Sequence, residues 1–107
     1  MPKIVLRDEK APHDIRRLTV YDHEGGIRLD GWDLGDGVEA IKGCREYEWI
    51  VTVAASALPA LVAALGGAEG EDIFEVISRT CMDDPNRLHA TIVDAKIPYD
   101  FWSRVGD

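Results

Sequence analysis

Three histidines and two cysteines are the side chains here best suited to proton transfer or nucleophilic attack. An imidazole titrates near neutrality and can shuttle protons, provided that a carboxylate or substrate lies within hydrogen-bond reach. His13 precedes Asp14 in a loop, His23 opens the turn-like run His23-Glu24-Gly25-Gly26, and His89 follows Leu88. Their spacing matches no metal-binding pattern such as HExxH, so each reads as exposed or structural. Cys44 lies near Lys42 and beside Arg45, and neighbouring cations lower a thiol pKa. No nucleophile signature accompanies it, while Cys81 falls on the apolar stripe of a helix and reads as core. The two cysteines form no CxxC pair, so neither a redox motif nor a zinc site is expected; they could bridge, but the N-terminal MPKIVLRDEK has no signal-peptide core, so reduced thiols are expected. The expectation is a chain without catalytic residues, metal or cofactor.

The carboxylates are more suggestive. Asp30, Asp33, Asp36 and Glu39 recur at intervals of three. Hard cations take several carboxylate oxygens, but the alternating ligands and terminal bidentate glutamate of a calcium loop are missing. Two readings remain for the run, a solvated acidic loop and an acidic docking surface. Trp32, Tyr47 and Trp49 stand around it, and aromatic residues are enriched where proteins meet. The expected partner-binding set is therefore Asp30, Trp32, Asp33, Asp36, Glu39, Glu46 and Glu48. On a basic, groove-bearing partner such as a nuclease these carboxylates would take the place of substrate phosphates. Trp49 is expected to serve the core instead, because it lies on a central strand.

Charge narrows the partner class. Twelve Lys+Arg against twenty Asp+Glu give −8, and residues 35–77 alone carry two basic and eight acidic groups. Such a field repels phosphate backbones and anionic lipid, and draws in a basic protein. Neither GxGxxG nor GxxxxGK[ST] nor GxSxG occurs, and the single Arg104 beside Phe101 and Trp102 makes no nucleic-acid patch.

The elements that must position these groups follow from hydrophobic period. The chain of 107 residues, 46% hydrophobic, fits one domain spanning 1–107 with a core that needs no disulfide. Ile4-Val5-Leu6 reads as a short strand, and residues 10–14 as a loop around Pro12. Ile15–Asp22 and Ile27–Trp32 alternate on either side of Gly25-Gly26, a hairpin signal. Residues 33–37 read as a turn, with Asp36 capping a short helical turn through Val38 and Ile41. Glu46–Val53 is the clearest strand, with Tyr47, Trp49, Val51 and Val53 on one face and Glu46, Glu48, Ile50 and Thr52 on the other. Ile50 implies that this second face is partly covered.

Three helices follow. Ser56 reads as the cap of the first, with Leu58, Leu61, Val62 and Leu65 on its stripe and Gly66 at its end. A second starts near Asp72 with Ile73, Phe74, Ile77 and Cys81 inward; Asp84-Pro85 opens a third that carries Leu88, Ile92 and Val93. The tail from Tyr99 to Val105 reads as a last strand burying Phe101. Strands grouped before helices imply α+β: an antiparallel sheet with two or three helices on one face. The apolar run from Trp49 to Leu65 is too short and interrupted to span a membrane, and MPKIVLRDEK lacks a signal-peptide core, so a cytoplasmic protein is expected.

The stretch from Arg28 to Gly67, RLDGWDLGDGVEAIKGCREYEWIVTVAASALPALVAALGG, resembles a group of small bacterial proteins, as does the ending Ile97-Pro98-Tyr99-Asp100-Phe101-Trp102-Ser103-Arg104. Some members of that group are classed with immunity proteins of polymorphic or contact-dependent toxin systems. The resemblance implies a module that binds and neutralises a cognate toxin, without a catalytic motif to carry over. The competing expectation is a structural or regulatory domain that self-associates as a homodimer through an exposed sheet edge.

Overall fold

The computed structural model describes residues 3–35 and 46–106. The fold is α+β: a five-stranded antiparallel sheet in the sequential order β1-β2-β3-β4-β5, with three helices. The strands are β1 (Lys3–Ala11), β2 (Asp14–His23), β3 (Gly26–Gly35), β4 (Glu46–Val53) and β5 (Asp100–Gly106). A 3-10 turn at Ala55–Ala57 leads into α1 (Leu58–Ala64), followed by α2 (Ile73–Thr80) and α3 (Arg87–Asp94).

The β2–β3 hairpin closes through a two-residue turn. Glu24 and Gly25 both have positive φ, 51° and 82°, which matches the right-handed twist of the flanking strands. The pairing then runs on to Asp14↔Gly35, so Asp33, Leu34 and Gly35 extend β3 rather than forming the expected turn. Each added pair satisfies backbone groups that a turn would leave to water. β1 likewise outgrows Ile4-Val5-Leu6, reaching Ala11 opposite Asp14. Asp36, the expected helical turn through Val38 and Ile41, Glu39 and Cys44 lie outside the described residues.

Helix ends obey local rules with two shifts. α2 starts beside Asp72 as expected, and the Asp72 carboxylate caps it by accepting from the N–H groups of Phe74 and Glu75 at 3.1 and 3.2 Å. Gly66, at φ 87°, ends α1, and the Gly67 N–H reaches the Val62 carbonyl at 2.8 Å. Ser56, however, sits inside the 3-10 turn and caps nothing, since Ala57 occupies the N-cap of α1. The Asp84-Pro85 signature also acts one step early. Asp84 accepts the Asn86 N–H on its side chain and the Arg87 N–H on its carbonyl, and α3 begins at Arg87 after that turn.

The helices pack on one end of one sheet face. Val20, Ile27, Leu29, Val51 and Val53 from the sheet meet Leu61, Leu65, Val76, Ile77, Cys81, Leu88 and Ile92 with essentially no exposure. Fully burying side chains of this size contributes roughly 1.5–3 kcal/mol each, so this shared layer holds the fold together. Val93 departs from its expected inward place and is 47% exposed, because Leu88 and Ile92 define the buried line of α3. The long strands continue past the helices, and the molecule is elongated at 42 × 27 × 24 Å. None of the described helices is long and apolar enough to cross a membrane.

Candidate protein-binding surface

A strand alternates its side chains between faces, so the pairing register sorts the expected site residues. Asp30, Trp32, Glu46 and Glu48 all project from the face opposite the helices. Asp33, three residues from Asp30, falls on the helix side, where Arg16 approaches it at 3.5 Å. An interval of three joins residues on a helix but separates them on a strand. Among the described residues no cluster of three or more His, Cys, Asp or Glu is placed to hold a metal ion.

No described element lies over this open face. Trp32 stands opposite Glu48 on β4 and Arg17 on β2, and its indole N–H donates to Glu46 Oε2 at 3.1 Å. The Arg17 guanidinium lies 5.4 Å from the Trp32 ring centroid, a cation–π distance. In the next row, Asp30, Ile50 and Trp102 lie side by side across β3, β4 and β5. Trp32, Ile50 and Trp102 thus form a diagonal apolar stripe, fringed by carboxylates.

Those carboxylates are matched by cations. Arg28 grips Asp30 through two hydrogen bonds of 2.6 and 3.2 Å, and this bond first, with the Asp30 charge, raises the Arg28 pKa against a desolvation that lowers it. Arg104 reaches Glu46 and Glu48 at 3.6 and 3.7 Å. Among the described residues, the register puts Lys3, Lys10, Arg17, Arg28 and Arg104 on this face against Asp8, Asp30, Glu46, Glu48 and Asp100, a balanced set. The negative excess lies elsewhere: residues 54–99 carry Glu69, Glu71, Asp72, Glu75, Asp83, Asp84 and Asp94 against Arg79, Arg87 and Lys96.

On the other face, where α3 stops covering the sheet, a cleft of about 270 Å³ is lined by Arg7, Arg16, Tyr47, Trp49, His89 and Phe101, among others. His89 stacks on Trp49 with ring centroids 5.1 Å apart and meets the edge of Tyr99 at 6.5 Å. Burial against these rings lowers its pKa, and the described partners are aromatic rather than a carboxylate that would orient it as a base. Arg7 Nε lies 3.0 Å from Glu9 Oε1 without hydrogen-bond alignment, and Arg7 Nη2 donates to Asn86 Oδ1 at 3.4 Å. His23 ends β2 with Nε2 3.7 Å from Glu24, at the exposed hairpin turn, and His13 sits in the β1–β2 turn. Cys81 is buried, and that burial raises its thiol pKa, as expected of a core cysteine.

Sequence reasoning missed β5 as a surface feature. Phe101 is 52% exposed, Trp102 48% and Val105 59%. Phe101 lies on the helix side opposite Val51, but β5 is the outermost strand and the helices do not reach over it. The aromatic density of Tyr99–Trp102 was a signal in the sequence, whereas the edge position that exposes it comes from the sheet order. No protein-family model matches this chain, and no curated protein or solved structure matches it either.

Proposed function

We propose that this chain is a non-catalytic, cytoplasmic protein-binding module of the immunity type, which captures and neutralises a cognate toxin. The supporting observation is the gathering of Asp30, Trp32, Glu46 and Glu48 on the sheet face opposite the helices, around the Trp32–Ile50–Trp102 stripe. Aromatic and aliphatic side chains at the centre of a contact supply most of its affinity, and a polar rim fixes its register. The rim here is made of ion pairs already oriented by Arg28 and Arg104. A basic partner would exchange its own lysines and arginines for these, while the overall charge of −8 speeds encounter. A basic toxin, a nuclease among the candidates, fits that exchange. The resemblance of Arg28–Gly67 and Ile97–Arg104 to small bacterial proteins, some of them classed with immunity proteins, motivates the toxin-neutralising part of this reading.

The test is capture of a toxin candidate by the tagged protein at low and high salt, quantified by mass spectrometry and then by titration. A stoichiometric partner should bind the Trp32→Ala variant at least about tenfold more weakly. The combined Glu46→Lys and Glu48→Lys variant should lose affinity at low salt, with the deficit shrinking as salt rises. Recovery of no toxin, or an affinity indifferent to salt and to both variants, would sink the proposal.

A further inference from the structure

The two edges of the sheet are built differently. β1 carries Lys3, Arg7, Asp8, Glu9 and Lys10, and its register slips between Val5 and Arg7. Charges and a bulge are the usual defences of an edge strand against pairing with another chain. β5 has an unbroken register with β4 over Asp100–Thr52 to Gly106–Glu46, and charges only at Asp100 and Arg104. Among the described residues no strand pairs with its outer edge, and Phe101, Trp102 and Val105 are each about half exposed or more.

The strand is complementary to itself. Let two copies lie antiparallel about a twofold axis at Ser103, so that all seven residues overlap. On the helix side Phe101 of each copy then faces Val105 of the other. On the open side Trp102 faces Arg104 of the other copy, a cation–π pairing, and Asp100 lies diagonal to that same arginine. Every exposed apolar side chain of β5 gains an apolar or cationic neighbour, and no like charges oppose. We infer that this chain forms a homodimer by antiparallel β5–β5 pairing centred on Ser103, giving one continuous ten-stranded sheet. Such an isologous contact closes on itself and leaves the β1 edges as the outer margins. Trp102 and Arg104 border both surfaces, but Phe101 and Val105 lie on the face opposite Trp32, Glu46 and Glu48, so substitutions at 101 and 105 test the dimer apart from the partner-binding reading.

The experiment is sedimentation of the full chain over about a hundredfold concentration range. The wild type should pass from monomer to twice that mass. Phe101→Glu sets a carboxylate opposite Val105, and Val105→Lys sets an ammonium opposite Phe101; each alone should stay monomeric with an unchanged far-ultraviolet spectrum. Mixing the two variants sets Glu opposite Lys and Phe opposite Val, and should restore a dimer. A second measurement avoids charged substitutions: Ser103→Cys should give, on mild oxidation, a 103–103 disulfide between copies, identified by peptide mapping. A wild type monomeric throughout, variants that dimerise as before, a mixture that remains monomeric, or an oxidised sample without the 103–103 link would each overturn the proposal.

Discussion

Gly31 and Trp49 face each other across β3 and β4, and the Trp49 indole fills the space in which a side chain on Gly31 would stand. The same indole stacks on His89 of α3, so it joins the sheet to the last helix just where the fully buried layer ends. A β-carbon at position 31 would fall inside the ring.

Gly31→Ala should therefore displace Trp49 and disturb its stack. Overpacking of this kind costs about 1–3 kcal/mol. Urea unfolding should show the loss, and the near-ultraviolet dichroism of the tryptophans should change even in the folded state. Unchanged stability and spectrum would mean that the indole is not held over Gly31.

His89 should make stability depend on pH. Burial on Trp49 favours its neutral form, so its folded pKa lies below the ordinary 6.5. The unfolded chain takes up the proton first. Stability is then fully present above 6.5, falls as pH drops below 6.5, and levels off beneath the folded value. Urea midpoints from about pH 7.5 to about pH 5 should decline less steeply for His89→Phe, which keeps a ring on Trp49 but cannot titrate. Equal slopes for both proteins would rule out this source.

Glu71 acts in a lower window. Its carboxylate accepts from Arg79 and from the Ala68 N–H, and these bonds, Arg79 first, hold its pKa near about 2 instead of 4.5. The stabilisation is present above 4.5 and lost as pH falls through about 2. Glu71→Gln should flatten the acid limb of the stability curve and speed hydrogen exchange at the Ala68 amide. An acid limb as steep as that of the wild type would argue against the clip.

Lys96 occupies a position that favours glycine. It has φ 57°, and the Ile97 N–H reaches the Ile92 carbonyl at 2.9 Å in the same closing pattern that Gly66 and Gly67 make after α1. The left-handed conformation penalises a β-carbon, so Lys96→Gly should stabilise the fold by about 0.5–1 kcal/mol. A thermal midpoint that stays level or falls would contradict this.

The sequence by itself determined the local architecture. Alternation in Glu46–Val53 sets Tyr47, Trp49, Val51 and Val53 on one face, and Gly25, which adopts φ 82° without steric cost, marks the hairpin turn. The helical stripes of α1 and α2 and the start of α2 near Asp72 were equally legible, since each depends on neighbours within a few residues. Strand length was not, because Asp33 to Gly35 are turn-forming types that extend β3 only when β2 lies beside them.

Tertiary structure alone decided the composition of the surface. It separated Asp33 from Asp30, matched Glu46 and Glu48 on β4 with Arg104 on β5, and moved the negative excess to the helical segment. It also left Phe101 outside a core that its side chain would suit, because a strand's place in the sheet order fixes whether helices can cover it. Charge pairing and coverage depend on residues far apart in the chain, and a linear pattern carries only the preferences of neighbours.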